Sequence, residues 1–224
     1  MASFVLIHGA GDVAANWDLV RTELRSRGHD VVAVDLPSDD ESAGWSEYAD
    51  TVVDAIGDRT DLVVVGHSLG GFTAALVCDR LPVSLLVLVA GMMPLPGETG
   101  SEWWANTGYE DAAGELDWDD EIGIFLQDVP HDLAAEALAR GRDQASRPMG
   151  EPWPLDAWPD VPTRYLVCRD DRFFPAAWLR GVARERLGFE PDEIDGGHCP
   201  FLSRPAELAD RLEAYWRDLR ASAA

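Results

Sequence analysis

The first part of the chain alternates short apolar runs with longer amphipathic stretches. Ser3 to Ile7 predicts a strand, and Val13 to Arg27 a helix stopped by Gly28. Val31 to Val34 predicts a second strand and Trp45 to Ile56 a second helix. Leu62 to Val65, Leu69 to Arg80 and Leu85 to Val89 then read as strand, helix and strand. The strands are apolar at nearly every position, with no in–out alternation. Such strands are buried on both faces, so the pattern predicts an α/β fold: a mostly parallel sheet with helices on both faces.

The alternation breaks after Met93. The stretch from Pro94 to about Pro159 is rich in Pro, Gly and acids. It carries Trp103, Trp104, Trp118, Trp153 and Trp158. It has helical stretches, such as Asp132 to Arg142, but no clear strand. Thr163 to Cys168 restores the strand pattern, Pro175 to Leu187 predicts a helix, Glu190 to Ile194 a short strand and Pro205 to Arg220 a closing helix. The expected division is therefore a core of residues 1–93 and 160–224 with an insertion over 94–159. A chain of 224 residues fits one domain of this kind.

The candidate chemistry lies in Gly66-His67-Ser68-Leu69-Gly70, between a predicted strand and a predicted helix. Gly-x-Ser-x-Gly in that context is the pattern of a nucleophile elbow. The turn is too tight for a Cβ at the flanking positions, and the serine hydroxyl is left exposed above a helix start. A serine hydroxyl needs a base, and the base needs an orienting acid. In open parallel sheets the active groups gather at the carboxyl ends of the strands, which confines the search.

Of the five histidines, His29 precedes a strand and lies at the wrong edge. His131 opens a helix in the insertion, where a capping role is expected. His67 neighbours the serine and points away from it at a sharp turn. His8 follows the first strand and is a rival by position. His198 lies in Gly196-Gly197-His198, after the last strand, and satisfies the chain order Ser, Asp, His. It is the expected base. Asp170 and Asp171 both follow the strand ending at Cys168, and either can be the acid. The oxyanion donors are expected at the backbone N–H of Leu69 and, in the glycine-rich loop His8-Gly9-Ala10-Gly11, that of Ala10.

Net charge is −23, from 18 basic and 41 acidic residues, and every basic residue is arginine. An acid surplus of this size repels phosphate backbones, so nucleic acid is not an expected partner. No apolar run is long enough to cross a bilayer, and no charged-then-apolar leader opens the chain, so no membrane association and a cytoplasmic location are expected. Cys78, Cys168 and Cys199 are spread out, which argues against disulfides and zinc. No metal or cofactor is expected, and a homodimer is left open.

Together these residues resemble the α/β-hydrolase superfamily over almost the whole chain. Within it the chain is similar to the plant methylesterase and hydroxynitrile lyase branch and its bacterial relatives. The supporting stretches are Val5-Leu6-Ile7-His8-Gly9-Ala10, Gly66-His67-Ser68-Leu69-Gly70-Gly71, Ala90-Gly91-Met92-Met93-Pro94 and Asp171-Arg172-Phe173-Phe174-Pro175, completed by Gly197-His198 and Leu202-Ser203-Arg204-Pro205. The resemblance implies the α/β-hydrolase fold with a small helical cap, and a triad of Ser68, His198 and Asp171. It also implies an apolar wall drawn from Trp103, Trp104, Met92, Met93 and Phe125. Lyases of the branch carry a lysine just after the base and a threonine after the first-strand histidine. Here the positions are Cys199 and Gly9. Both departures favour hydrolysis, and an apolar pocket suits a small hydrophobic substrate, so a serine hydrolase acting on a small hydrophobic carboxylic ester is expected. A hydroxynitrile or carbon–carbon lyase, or a low-turnover binding or sensor protein, are the alternatives.

Overall fold

The computed structural model describes residues 1–222. Six strands, β1 (Ser3–Ile7), β2 (Asp30–Val34), β3 (Leu62–His67), β4 (Val83–Val89), β5 (Thr163–Cys168) and β6 (Asp192–Ile194), form one sheet in the order β2-β1-β3-β4-β5-β6. Every neighbouring pair is parallel. The core helices are α1 (Asp18–Ser26), α2 (Trp45–Ile56) and α3 (Gly70–Arg80). Between β4 and β5 come α4 (Gly100–Asn106), α5 (Tyr109–Ala113), α6 (Glu121–Phe125), α7 (His131–Arg140) and α8 (Arg147–Gly150). The chain closes with α9 (Ala176–Leu187), α10 (Pro200–Ser203) and α11 (Pro205–Ser222). No helix among the described residues is long and apolar enough to cross a membrane.

The strand order has one reversal. The chain steps from β1 outward to β2, then returns past β1 to β3. Right-handed crossovers in opposite directions place α1 on one face and α2 on the other. Accordingly α1 packs against α11, and α2 against α3. The reversal also opens a crevice beyond the carboxyl ends of β1 and β3, where ligands bind in open sheets. The first-strand loop and the Gly-x-Ser-x-Gly turn both open into that crevice.

Burial follows the sequence pattern. All five residues of β1 and all six of β3 are buried. On the α2 side Trp45 stacks on Phe72 of α3 with ring centroids 4.7 Å apart. Cys78 and Cys168 are buried free thiols in apolar surroundings, as small core residues.

Several element ends differ from the sequence pattern, each for a local reason. The predicted helix over 13–27 divides into a 3-10 turn at Ala14–Trp17 followed by α1. Asp12 and Asp35 accept the N–H groups of Val13 and Ala14 at 2.8 Å each and hold that first turn apart from the helix. β3 runs on past Val65 because Gly66 and His67 still pair with Leu88 and Val89. β4 starts at Val83 rather than Leu85, with a register shift opposite Leu62 and Val63. β6 starts only at Asp192, after Pro191, which has no N–H to donate to a ladder. His131 is the first residue of α7, with Pro130 before it, and it is exposed and makes no capping bond. The capping role expected for it is not present.

Candidate active site

Ser68 occupies the turn between β3 and α3 with φ 50°, a left-handed conformation that costs a non-glycine residue strain. The neighbouring glycines show why the turn closes. A Cβ on Gly70 would lie 2.4 Å from the carbonyl oxygen of His8, and one on Gly66 would lie 2.7 Å from the Ala74 side chain. The Ser68 carbonyl accepts the N–H of Met92 at 2.8 Å and that of Gly71 at 3.1 Å, which holds the strained residue in place.

His198 reaches the same crevice from the loop after β6. Its Nδ1–H donates to Asp171 Oδ2 at 2.8 Å. The other Asp171 oxygen accepts the N–H groups of Phe173 and Phe174 at 2.9 Å each, so the carboxylate is fixed from both sides. Asp170 does not reach His198. Its Oδ2 accepts the N–H of Gly196 at 3.1 Å, so it shapes the loop that carries the histidine. Of the two aspartates left open by position, Asp171 is the one bonded to His198. Phe125, Phe173 and Phe174 surround the imidazole at centroid distances of 5.7, 5.1 and 5.2 Å.

Ser68 and His198 line one cavity of about 700 Å³, together with Ala10, Leu69, Met92, Trp104 and Phe125. In this resting arrangement no hydrogen bond joins the Ser68 hydroxyl to His198; such bonds often form only in the substrate complex. The amide N–H groups of Ala10 and Leu69 make no backbone hydrogen bond among the described residues. Two unengaged donors on the cavity wall beside a serine are what a developing oxyanion requires.

Two of the expected wall residues lie elsewhere. Trp103 and Met93 are fully buried and do not line the cavity. The Trp103 indole N–H donates to the Met93 carbonyl at 3.1 Å, so the pair packs beneath the wall that Trp104 and Met92 present. Alternate residues of α4 point in different directions, and the sequence alone does not say which tryptophan faces in. Cys199 lines the cavity as a buried thiol, and burial pushes its pKa well above the usual range, which keeps it neutral.

The other histidines have structural partners. His8 Nδ1–H donates to the Gly9 carbonyl at 2.8 Å and its Nε2 accepts the N–H of Leu36 at 3.0 Å. Both nitrogens are occupied and burial lowers its pKa, so His8 is not available as a base. His29 accepts the N–H of Ala2 and bonds Glu213 far from the site. His67 has a role the sequence did not reveal: its Nε2–H donates to the carbonyl of His198 at 2.9 Å. Burial, and secondarily repulsion between its charged form and that of His198, pushes its pKa well below the usual histidine value, so it is neutral. Nothing in the sequence marks His67 as the partner of a carbonyl in the loop after β6.

Residues 4–211 match the family model described as alpha/beta hydrolase family. The chain belongs to that family. Its curated relatives include the probable esterase PIR7A of Oryza sativa subsp. japonica, 38% identical over 93% of this chain and 94% of that protein. Methylesterase 3 of Arabidopsis thaliana is 28% identical over 93% of each chain. A pyrethroid hydrolase from Sphingobium faniae JZ-2 has the same fold, with TM-score 0.78 and 22% identity, over 96% of this chain and 97% of that one. The chain is thus a hydrolase-family enzyme.

Proposed function

We propose that this enzyme hydrolyses small, largely apolar carboxylic esters through an acyl-enzyme. The observation that carries the reading is His198, held by Asp171, on the same cavity wall as a serine in a strained elbow. Ser68 Oγ attacks the ester carbonyl as His198 Nε2 takes its proton. Asp171 holds the imidazole in the required tautomer and stabilises the imidazolium. The N–H groups of Ala10 and Leu69 receive the oxyanion, each contributing about 3 kcal/mol of barrier lowering. His198 then gives the proton to the departing alcohol. Water, deprotonated by His198, attacks the acyl carbonyl, and the carboxylic acid leaves as Ser68 recovers its proton.

Residues 94–159 act in this reading as a cap. Trp104 and Phe125 from this segment, with Met92 below, give the acyl or alcohol group an apolar wall and exclude water. The esterase names of the curated relatives support the same reaction class. Purified protein is expected to cleave p-nitrophenyl acetate, and Ser68→Ala to abolish that activity and labelling by a fluorophosphonate. Full activity in the Ser68→Ala protein would refute the reading.

A further inference from the structure

The carboxylate of Asp12 lines the cavity at the end of the first-strand loop, on the same wall as Ala10. Its Oδ1 is engaged, accepting the N–H of Val13 at 2.8 Å and the side-chain amide of Asn16 at 2.5 Å. Its Oδ2 has no hydrogen-bond or ion-pair partner among the described residues. Oδ2 is not sealed inside the protein, so it is open to a donor brought by a ligand in the cavity.

No cation among the described residues fills that role. Among them, Arg142 is the only arginine lining the cavity, beside the carboxylates of Asp12, Asp39, Glu121 and Asp143. Its guanidinium is already committed, to the Leu36 carbonyl at 2.9 Å and to Asp35 and Asp39 at 3.5 and 3.6 Å. The basic groups whose charge acts on Asp12 are His8 and His198, and both are held by other partners. Burial pushes the Asp12 carboxyl up from its ordinary value, outweighing His8 and the Val13 and Asn16 hydrogen bonds that pull it down, and a bound cation would favour its charged form. Trp104, Phe125 and Phe173 supply aromatic faces on the same cavity, which also favour a cation over an anion.

We propose that Asp12 is a specificity-determining residue that binds a positively charged nitrogen of the substrate, so that the preferred esters are those of amino alcohols or amino acids with an otherwise apolar body. This inference rests on the esterase reading. The ammonium group donates to Asp12 Oδ2 while the ester carbonyl lies over Ser68. The acid surplus of the whole chain, −23, draws the same substrates toward the mouth of the cavity.

The test compares 2-(dimethylamino)ethyl acetate, protonated at neutral pH, with 3-methylbutyl acetate, which has carbon in place of nitrogen and the same shape. The wild-type enzyme is expected to prefer the ammonium ester in kcat/KM by roughly tenfold or more, the effect of one charge-assisted hydrogen bond. Asp12→Asn keeps an oxygen for Val13 and Asn16 but removes the charge, and is expected to bring the ratio close to one. A wild-type ratio at or below one overturns the inference without any variant, as does a preference that survives Asp12→Asn. Failure to cleave either ester would count against the esterase reading by itself. Binding then decides separately, by titrating tryptophan fluorescence with benzyldimethylammonium and its neutral counterpart isobutylbenzene. Tighter binding of the cation, lost in Asp12→Asn, supports the charged subsite, and equal binding of the two refutes it.

Discussion

His67 and His198 are bonded through the backbone of one and the ring of the other: the His67 imidazole donates to the His198 carbonyl at 2.9 Å, with ring centroids 4.7 Å apart. The nucleophile turn therefore also anchors the loop that brings in the base. Ser68 and His198 come from β3 and from beyond β6, yet the residue next to the serine is bonded directly to the loop that carries the histidine.

This contact predicts a catalytic effect from a residue that performs no proton transfer. His67→Phe removes the donor and leaves the His198 carbonyl without its buried partner. A lost buried hydrogen bond of about 1 kcal/mol, released into the position of the base, should lower kcat by roughly fivefold to tenfold, with KM little changed. His67→Gln can still donate from a similar place and should recover most of the rate. Equal loss in both variants would show that ring packing, and not the hydrogen bond, is what matters.

The two adjacent aspartates should behave very differently. Asp171→Asn leaves an amide where His198 Nδ1–H needs an acceptor, so kcat for p-nitrophenyl acetate should fall by roughly four orders of magnitude. The Asp170 carboxylate bonds only the N–H of Gly196 and lies at the surface. Asp170→Asn should cost less than about 1 kcal/mol of stability and less than about threefold in kcat. Steady-state kinetics and urea unfolding of the two proteins distinguish the cases.

The segment between β4 and β5 is tied to the core by a buried ion pair. Arg186 of α9 bonds Glu98 and the Met93 carbonyl, and Glu98 also accepts from Asn106 and from the N–H of Leu95. Burial alone would raise the Glu98 pKa, but the Arg186 and Asn106 bonds outweigh it and hold the carboxyl below its ordinary 4.5. A carboxyl with a depressed folded pKa binds fewer protons folded than unfolded. Its stabilising contribution is present above about pH 4.5 and is lost as pH falls through the folded value. Glu98→Gln leaves Arg186 buried without its counter-charge and should cost about 3 kcal/mol at pH 7. The gap between wild type and variant should narrow as the pH is lowered below 4.5. Urea unfolding at a series of pH values reads this directly, and a gap that stays constant into acid contradicts it.

The parts of the site readable from sequence are those imposed by the backbone. Ser68 is marked by Gly66 and Gly70, which the turn requires, and Ala10 and Leu69 follow from where a strand must end. α2 and β5 have the predicted bounds because their apolar patterns stop at Gly57 and after Cys168. What the sequence leaves open depends on which way a side chain turns once the chain has folded. Asp170 and Asp171 are equivalent by position, and only the loop conformation sends one to His198 and the other to Gly196. His67 shows no pattern at all, because its partner is a carbonyl supplied by a loop 131 residues away. Asp12 carries no signal in the sequence, and only the fold places it on the cavity wall.

The adjacent tryptophans of α4 give the sharpest separation of packing from specificity. Trp103 is fully buried, bonds the Met93 carbonyl and has the Arg186 guanidinium 5.9 Å over its ring. Trp104 packs on Tyr109, Phe173 and Phe174 and also presents surface to the cavity. Trp103→Ala opens a void inside the core and should destabilise the protein by about 3–5 kcal/mol. Its acyl-length preference should be that of the wild type wherever the variant remains folded. Trp104→Ala removes part of the cavity wall instead, so the empty space is continuous with the substrate site. It should cost less stability and shift the optimum in a p-nitrophenyl ester series toward longer acyl chains. Thermal unfolding and the ester series, measured on both variants, give two independent readouts. If Trp103→Ala moved the acyl preference while Trp104→Ala did not, the assignment of Trp104 to the wall would be reversed.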